Sequence, residues 1–401
     1  QIQPDPITPA STVFFAPMIG VTNNNHTFPS DGNIPSDWTM FQPRFGFAWD
    51  VKGDSRDVLR ASAGMYSPRT PGLVLASART ANGSVGQNVF FGSFFNGFGV
   101  TPPTYGGLAP PPTTPGTPTR PGINVVDRDF KNPRTLAISA GWEHSLTRRL
   151  AGAFNYSFAN TTNLNRFIDR NAAVFGTPFA NFPAPNAANG LGGVTVLESS
   201  AKSQYHGFTL SLNGALSRRI ELQANYTLSF DKSDDDNERD PFSFRYARAD
   251  SLEREYNWSD RDQRHRVNIW VLERLPWDLF LNHRISFYSE QPTSAKCGTN
   301  NVATETPATS PGERICPDGH VIQRNTLRKD NAFFQWDLRI SRPFRVGTSQ
   351  RVEAIIEVFN VTNTFNLRNP SAPGLLFNFD GTIRSGLGDP RRIQGGLRWE
   401  F

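Results

Sequence analysis

The chain has 401 residues, of which 37% are hydrophobic, 12% aromatic and 19% charged, with 32 Phe, 33 Gly and 31 Pro. Few aliphatics beside many aromatics describe a water-rich protein that still carries an apolar surface, and the Gly and Pro content implies many turns and long loops. The net charge of +5 is spread in pairs such as Arg148-Arg149 and Arg218-Arg219, which argues against nucleic acid as a partner, and no run of about 18 apolar residues exists that could form a transmembrane helix.

In chain order, the sequence opens on Gln1 without a signal-peptide pattern, as a mature chain or a piece of a longer one does. Within 1–40 only Thr12–Gly20, TVFFAPMIG, resembles a strand, and its Pro and poor alternation weaken it. From Phe41 onward apolar and polar residues alternate with a period of two, which predicts strands rather than helices. In Phe41–Val51 the apolar parity is Phe41, Phe45, Phe47, Trp49 and Val51; in Thr135–Leu146 it is Leu136, Ile138, Ala140 and Trp142. In Arg218–Phe230 it is Ile220, Leu222, Ala224, Tyr226, Leu228 and Phe230. The same pattern predicts eleven strands, at about 41–51, 57–67, 134–146, 149–160, 204–216, 218–230, 264–275, 278–289, 333–344, 350–361 and 392–401. Cys297 and Cys316 fall in a Thr-, Asn-, Pro- and Gly-rich stretch, which reads as a local disulfide in an oxidising compartment, against the alternative of two free thiols.

Strands of ten to thirteen residues exceed the usual five or six of a globular sheet. Ten residues rising about 3.3 Å each and tilted by about 40° climb roughly 25 Å, the height of the apolar band of an outer-membrane barrel. The connections alternate between short ones (Lys52–Arg56, Thr147-Arg148, Ser217, Pro276-Trp277, Arg345–Ser349) and long ones at about 68–133, 161–203, 231–263, 290–332 and 362–391. Short periplasmic turns and long extracellular loops follow this rule. The fold class predicted is therefore all-β: a transmembrane antiparallel up-and-down β-barrel, with 1–40 an extracellular segment and 41–401 the barrel. Eleven strands with the last running inward make the first run inward too, so at least one further strand is needed for closure.

Three stretches resemble the barrel of Oar-like TonB-dependent receptors: FQPRFGFAWDVKGDSRDVLRASAGMYSPRTP (Phe41–Pro71), WSDRDQRHRVNIWVLERLP (Trp258–Pro276) and RVEAIIEVFNVTNTFNLRNP (Arg351–Pro370). The resemblance implies a 22-stranded barrel, an N-terminal plug and a TonB-contacting segment, with the eleven strands as the C-terminal half of the barrel. It implies a transport or receptor protein, not an enzyme, that binds its ligand at external loops. Its partners would be outer-membrane lipid, the insertion machinery, the other barrel half with its plug, and TonB through that part. The plug, the TonB-contacting segment and the extra N-terminal domain of such receptors have no counterpart here. The alternatives are a passive pore of about twelve strands, a barrel-anchored adhesion or assembly protein, and a secreted carbohydrate-binding module.

The candidate residues follow from parity. Ile393, Leu397, Trp399 and the terminal Phe401 resemble the signal read by the outer-membrane insertion machinery, a strand edge suited to β-augmentation. Trp142, Phe158, Trp336 and Trp399 lie near strand ends on the apolar parity and read as an aromatic girdle. Glu143, Glu221, Arg284, Asp337, Arg339, Glu353 and Glu357 fall on the inner parity and read as lumen-lining; no nucleophile–His–acid spacing accompanies the Glu353/Glu357 pair. The acidic run with Asp231, Asp234, Asp235 and Asp236 is a weak Ca²⁺ candidate, lacking the glycine of an EF-hand loop. Asp260–Arg266, DRDQRHR, reads as internally paired charges rather than a His265 metal site, and Asn155-Tyr-Ser and Asn225-Tyr-Thr, being mid-strand, are not glycosylation sites.

Overall fold

The computed structural model describes residues 22–23, 26–68, 70, 72–80, 123–171, 193–236, 244, 246–347, 350–366, 368–369, 383–384 and 390–401. Its centre is one sheet in which eleven strands follow one another as an antiparallel meander. They are β1 (Arg44–Asp50), β2 (Asp57–Tyr66), β3 (Arg134–Ser145), β4 (Leu150–Asp169), β5 (Val194–Ala215), β6 (Ile220–Ser233), β7 (His265–Leu275), β8 (Leu279–Tyr288), β9 (Phe333–Val346), β10 (Gln350–Phe359) and β11 (Arg392–Glu400). Two short strands complete the sheet of 13: Ile123–Val126, parallel to the start of β5, and Asn257–Trp258, beside the end of β6. Among the described residues β1 and β11 each have one strand neighbour, so the sheet is open. Thr12–Gly20 lies outside the described residues.

The register carries the alternation of each strand across the whole sheet. One continuous row runs Trp49–Leu59–Trp142–Phe154–Leu210–Tyr226–Val267–Phe287–Phe334. Two shorter stretches in neighbouring rows, Ile285–Trp336 and Leu338–Val358–Ile393, carry the apolar face to β11. Because directly opposed residues share a face, one face of the sheet is apolar from edge to edge. Its side chains are exposed in the isolated chain: Phe45, Phe47, Trp49, Leu210, Ile356, Leu397 and Trp399 are more than half exposed. Such an area has no stable solution in water, whereas lipid covers it at no further cost. On β6 the outward apolar residues run from Ile220 to Phe230, ten rises that span roughly 25 Å at a 40° tilt.

Buried apolar residues lie instead above this band. Ile34, Val126, Phe130, Phe167 and Leu197 pack against Val74, Leu75 and Ala78 on one face of a helix, α1 (Gly72–Thr80). The loop expected at 161–203 is thus shorter: β4 continues nine residues further, to Asp169, β5 begins ten residues earlier, at Val194, and the two carry a small cored cap. β4 crosses into the cap through register shifts between Thr161 and Arg166, with Asn163 in left-handed backbone (φ 57). The short connections are tight. At Pro276–Asp278 the chain reverses through Trp277 and Asp278, both left-handed (φ 65 and 56).

Candidate functional site

The inward face is polar and paired. Arg60 on β2 donates to Glu143 on β3 (2.5 Å), and Arg274 on β7 pairs with Glu221 on β6. Arg339 on β9 reaches Glu353 and Glu357 on β10, both at 3.6 Å, and Glu357 accepts from Gln394 on β11 (2.5 Å). Asp337 accepts two bonds from Gln335 and one from the Asn360 backbone N–H (2.9 Å). Hydroxyl ladders link Ser62 to Ser139 (2.7 Å) and Thr209 to Thr227 (3.0 Å). Each of these pairs is cross-strand or from a neighbouring position, as a wet lumen requires: charges neutralise one another locally while the free faces stay hydrated. All seven residues expected on the inner parity lie on this face.

The polar face also carries an apolar patch that alternation conceals. Trp270, Leu272 and Phe280 face inward and, with Asn282, Arg339, Ser341, Arg351 and Glu353, line a groove of about 440 Å³. A second groove of about 320 Å³ includes Gln223, Asn225, Asn268, Trp270, Arg284 and Ser286. β7 is apolar on both parities, with Val267, Ile269 and Val271 outward and Trp270 and Leu272 inward, so period two alone does not single out the inward ones. Their signal is the excess itself: a strand apolar on both faces touches more than lipid.

On the outward face, Trp142 stands near the short-turn end, its Nε1 donating to Asp57 (3.3 Å), and Trp399 opposes Val352 at the same end. Phe158 lies against His206 (ring centroids 5.0 Å), and Trp336 donates to His283 Nδ1 (3.3 Å), both toward the long-loop end. Ile393, Leu397 and Trp399 project from β11 on one side, and Phe401 is 99% exposed.

The long loops hold the remaining candidates. Cys297 and Cys316 form a disulfide (Cα–Cα 5.3 Å) that ties the hairpin Ala295–Cys297/Ala303–Pro307 to the turn at Cys316–His320. Three acids of the Ca²⁺ candidate are engaged by guanidinium groups from other parts of the chain. Arg166 binds Asp234 (2.9 Å) and Asp235 (3.2 Å), and Arg324 binds Asp236 and, at 3.0 Å, Asp260. The DRDQRHR segment is paired as expected within itself, Arg264 to Asp262 (3.1 Å), but Asp262 also binds Arg328 from the next loop (2.7 Å). Burial opposes the charge on Arg324, yet Asp260 and Asp236 outweigh it and raise its pKa above the usual arginine value.

This outward apolar band, inward polar face and alternation of turns and loops coincide with a family match over residues 7–286, to a model described as an outer membrane beta barrel domain. The chain belongs to this family. Outer membrane beta barrel domains reside in the outer membrane of Gram-negative bacteria, and the eleven-stranded meander is a segment of such a barrel. No curated protein sequence matches the chain. Among solved structures it is similar to the outer membrane transporter YddB from Escherichia coli (13% identity, TM-score 0.48, covering 89% of this chain and 40% of that one). It is also similar to the pyoverdine outer membrane receptor FpvA from Pseudomonas aeruginosa (12%, 0.46, 90% and 36%). A third is BauA, the ferric preacinetobactin receptor from Acinetobacter baumannii (11%, 0.46, 90% and 36%). The chain therefore spans well under half the length of these structures.

Proposed function

We propose that this outer membrane beta barrel domain is the C-terminal half of the barrel of an Oar-like TonB-dependent receptor. It takes a ligand at its external cap and passes it through a lumen filled by a plug. The observation that carries the proposal is the lumen face. Paired charges surround the Trp270–Leu272–Phe280 patch, in which Trp270 is exposed and Leu272 and Phe280 are half-buried, and the open eleven-stranded meander leaves that patch without a cover among the described residues. A plug domain supplies one, and 22 strands enclose the width that a plug needs. The resemblance of Phe41–Pro71, Trp258–Pro276 and Arg351–Pro370 to the receptor barrels supports the same reading, as does the cored cap above the mouth. The roles of Trp142, Phe158, Trp336 and Trp399 as interface anchors, and of Ile393, Leu397, Trp399 and Phe401 as the insertion signal, belong to this proposal.

The whole gene product, reconstituted into planar bilayers, distinguishes a receptor from a passive pore. A plugged receptor shows no steady conductance until residues preceding the barrel are deleted, and then shows large steps. Steady conductance in the intact protein contradicts the reading.

A further inference from the structure

We propose that the outer wall, immediately above the apolar band at β5 and β6, binds the phosphate-bearing headgroup of an outer-leaflet lipid. Phe230 is the last outward apolar residue of β6. Lys232 is the next residue on that face, opposite Gln204 of β5, and Trp258 opposes Lys232 from the other side. Lys202 sits one row higher on β5, diagonal to Lys232, where Cα atoms lie about 7–8 Å apart. Each ammonium group rests over an aromatic ring, Lys202 over Tyr256 and Lys232 over Trp258, both at 4.8 Å. The Arg264 guanidinium joins them, 4.2 Å above the Trp258 ring and 4.5 Å above Phe230.

The charge balance favours an anion here. Arg264 is shared with Asp262 (3.1 Å), and Asp234 is taken by Arg166 (2.9 Å). Arg166 also serves Asp235 (3.2 Å), and Asp234 accepts the Lys202 backbone N–H (2.7 Å). Neither lysine ammonium forms an ion pair among the described residues, and set against Asp262, Asp234 and Asp235 the cations Lys202, Lys232, Arg264 and Arg166 leave one surplus positive charge. Its height selects the source of the anion. Two residues above the end of an apolar band lies the headgroup layer, where lipid phosphates are concentrated and amphipathic Tyr and Trp rings settle. Ring faces beneath the lysines hold the ammonium groups in place and cover the adjoining glycerol or sugar of the headgroup.

The test uses the whole gene product in a non-ionic detergent, with bound lipid counted by native mass spectrometry. Phosphatidic acid is the probe, matched phosphatidylcholine the comparison and inorganic phosphate the competitor. The expected result is preferential retention of phosphatidic acid, falling roughly thirtyfold in K202Q/K232Q, as loss of two lysines near an anionic surface implies. K202R/K232R should keep the preference, K296Q should not change it, and heat-modifiable gel mobility should show that each variant is folded. Equal retention of the two lipids by the natural protein, or an unchanged preference in K202Q/K232Q, overturns the proposal. So does full displacement by inorganic phosphate, which would assign the site to a free anion.

Discussion

Single residues set tolerances that the strand pattern does not reveal. Gly214 of β5 adopts φ 135, and a Cβ there would lie 2.0 Å from the Arg149 carbonyl oxygen. That carbonyl is already held by the Ala215 N–H (2.7 Å), so it has no direction in which to yield. Gly214→Ala should cost roughly 2–3 kcal/mol, read as a lower urea midpoint for the heat-modifiable band. Arg324 is a different case. Buried between Asp236 and Asp260, it reaches from the β8–β9 loop to two carboxylates at opposite ends of the β6–β7 loop. Removing it leaves both desolvated and unpaired, a loss on the order of 3–5 kcal/mol. Arg324→Ala should therefore accelerate amide exchange across residues 255–262 while β6 and β7 stay protected. The acidic run was legible in the sequence, but its guanidinium partners, about 70 and 90 positions away in the chain, were not.

At the scale of elements, the transmembrane part of each strand was legible because one face meets lipid and the other water, which forces a strict period of two. The pattern ends where the solvent changes. Around Asn165–Ile168 on β4 and Val194–Glu198 on β5 both faces are covered, so Val194, Val196, Leu197, Phe167 and Ile168 are buried together and alternation disappears. The inward patch of β7 escaped because that strand is apolar on both parities. The disulfide lobe is local: its bridge spans 19 residues, and chain entropy assigns it about 3 kcal/mol. Cys297→Ser should raise protease cleavage between residues 297 and 316 and leave the barrel's gel mobility unchanged. The rim above β6 should respond to pH. Asp231 lies just above the apolar band, and burial, reinforced by Asp236 and Asp262, pushes its pKa up to about 7. Its folded pKa exceeds its unfolded one, so the stability it confers is complete below about pH 4 and is lost as pH rises through about 7. Amide exchange in residues 257–262 should be slower at pH 5 than at pH 8 after correction for intrinsic rates, and Asp231→Asn should remove the difference.

At the scale of the molecule, direction decides what can close the sheet. β1 and β11 both run from the long-loop side to the short-turn side, since an odd number of antiparallel strands separates their outer edges. A second copy in the same membrane orientation would meet each edge with a parallel strand. Closure therefore needs an odd number of additional strands, beginning and ending with outward-running ones, and eleven of them satisfy both this rule and the receptor reading. All of this rests on one assignment, that the apolar parity faces lipid and the other parity faces water. Spin labels placed singly at residues 221 to 229 of β6, in the whole gene product embedded in membranes, measure it directly. Even positions should be relaxed by oxygen and odd positions by a water-soluble nickel chelate, with the two profiles alternating out of phase over all nine sites. Profiles that rise and fall together, or that show no alternation, would contradict the barrel.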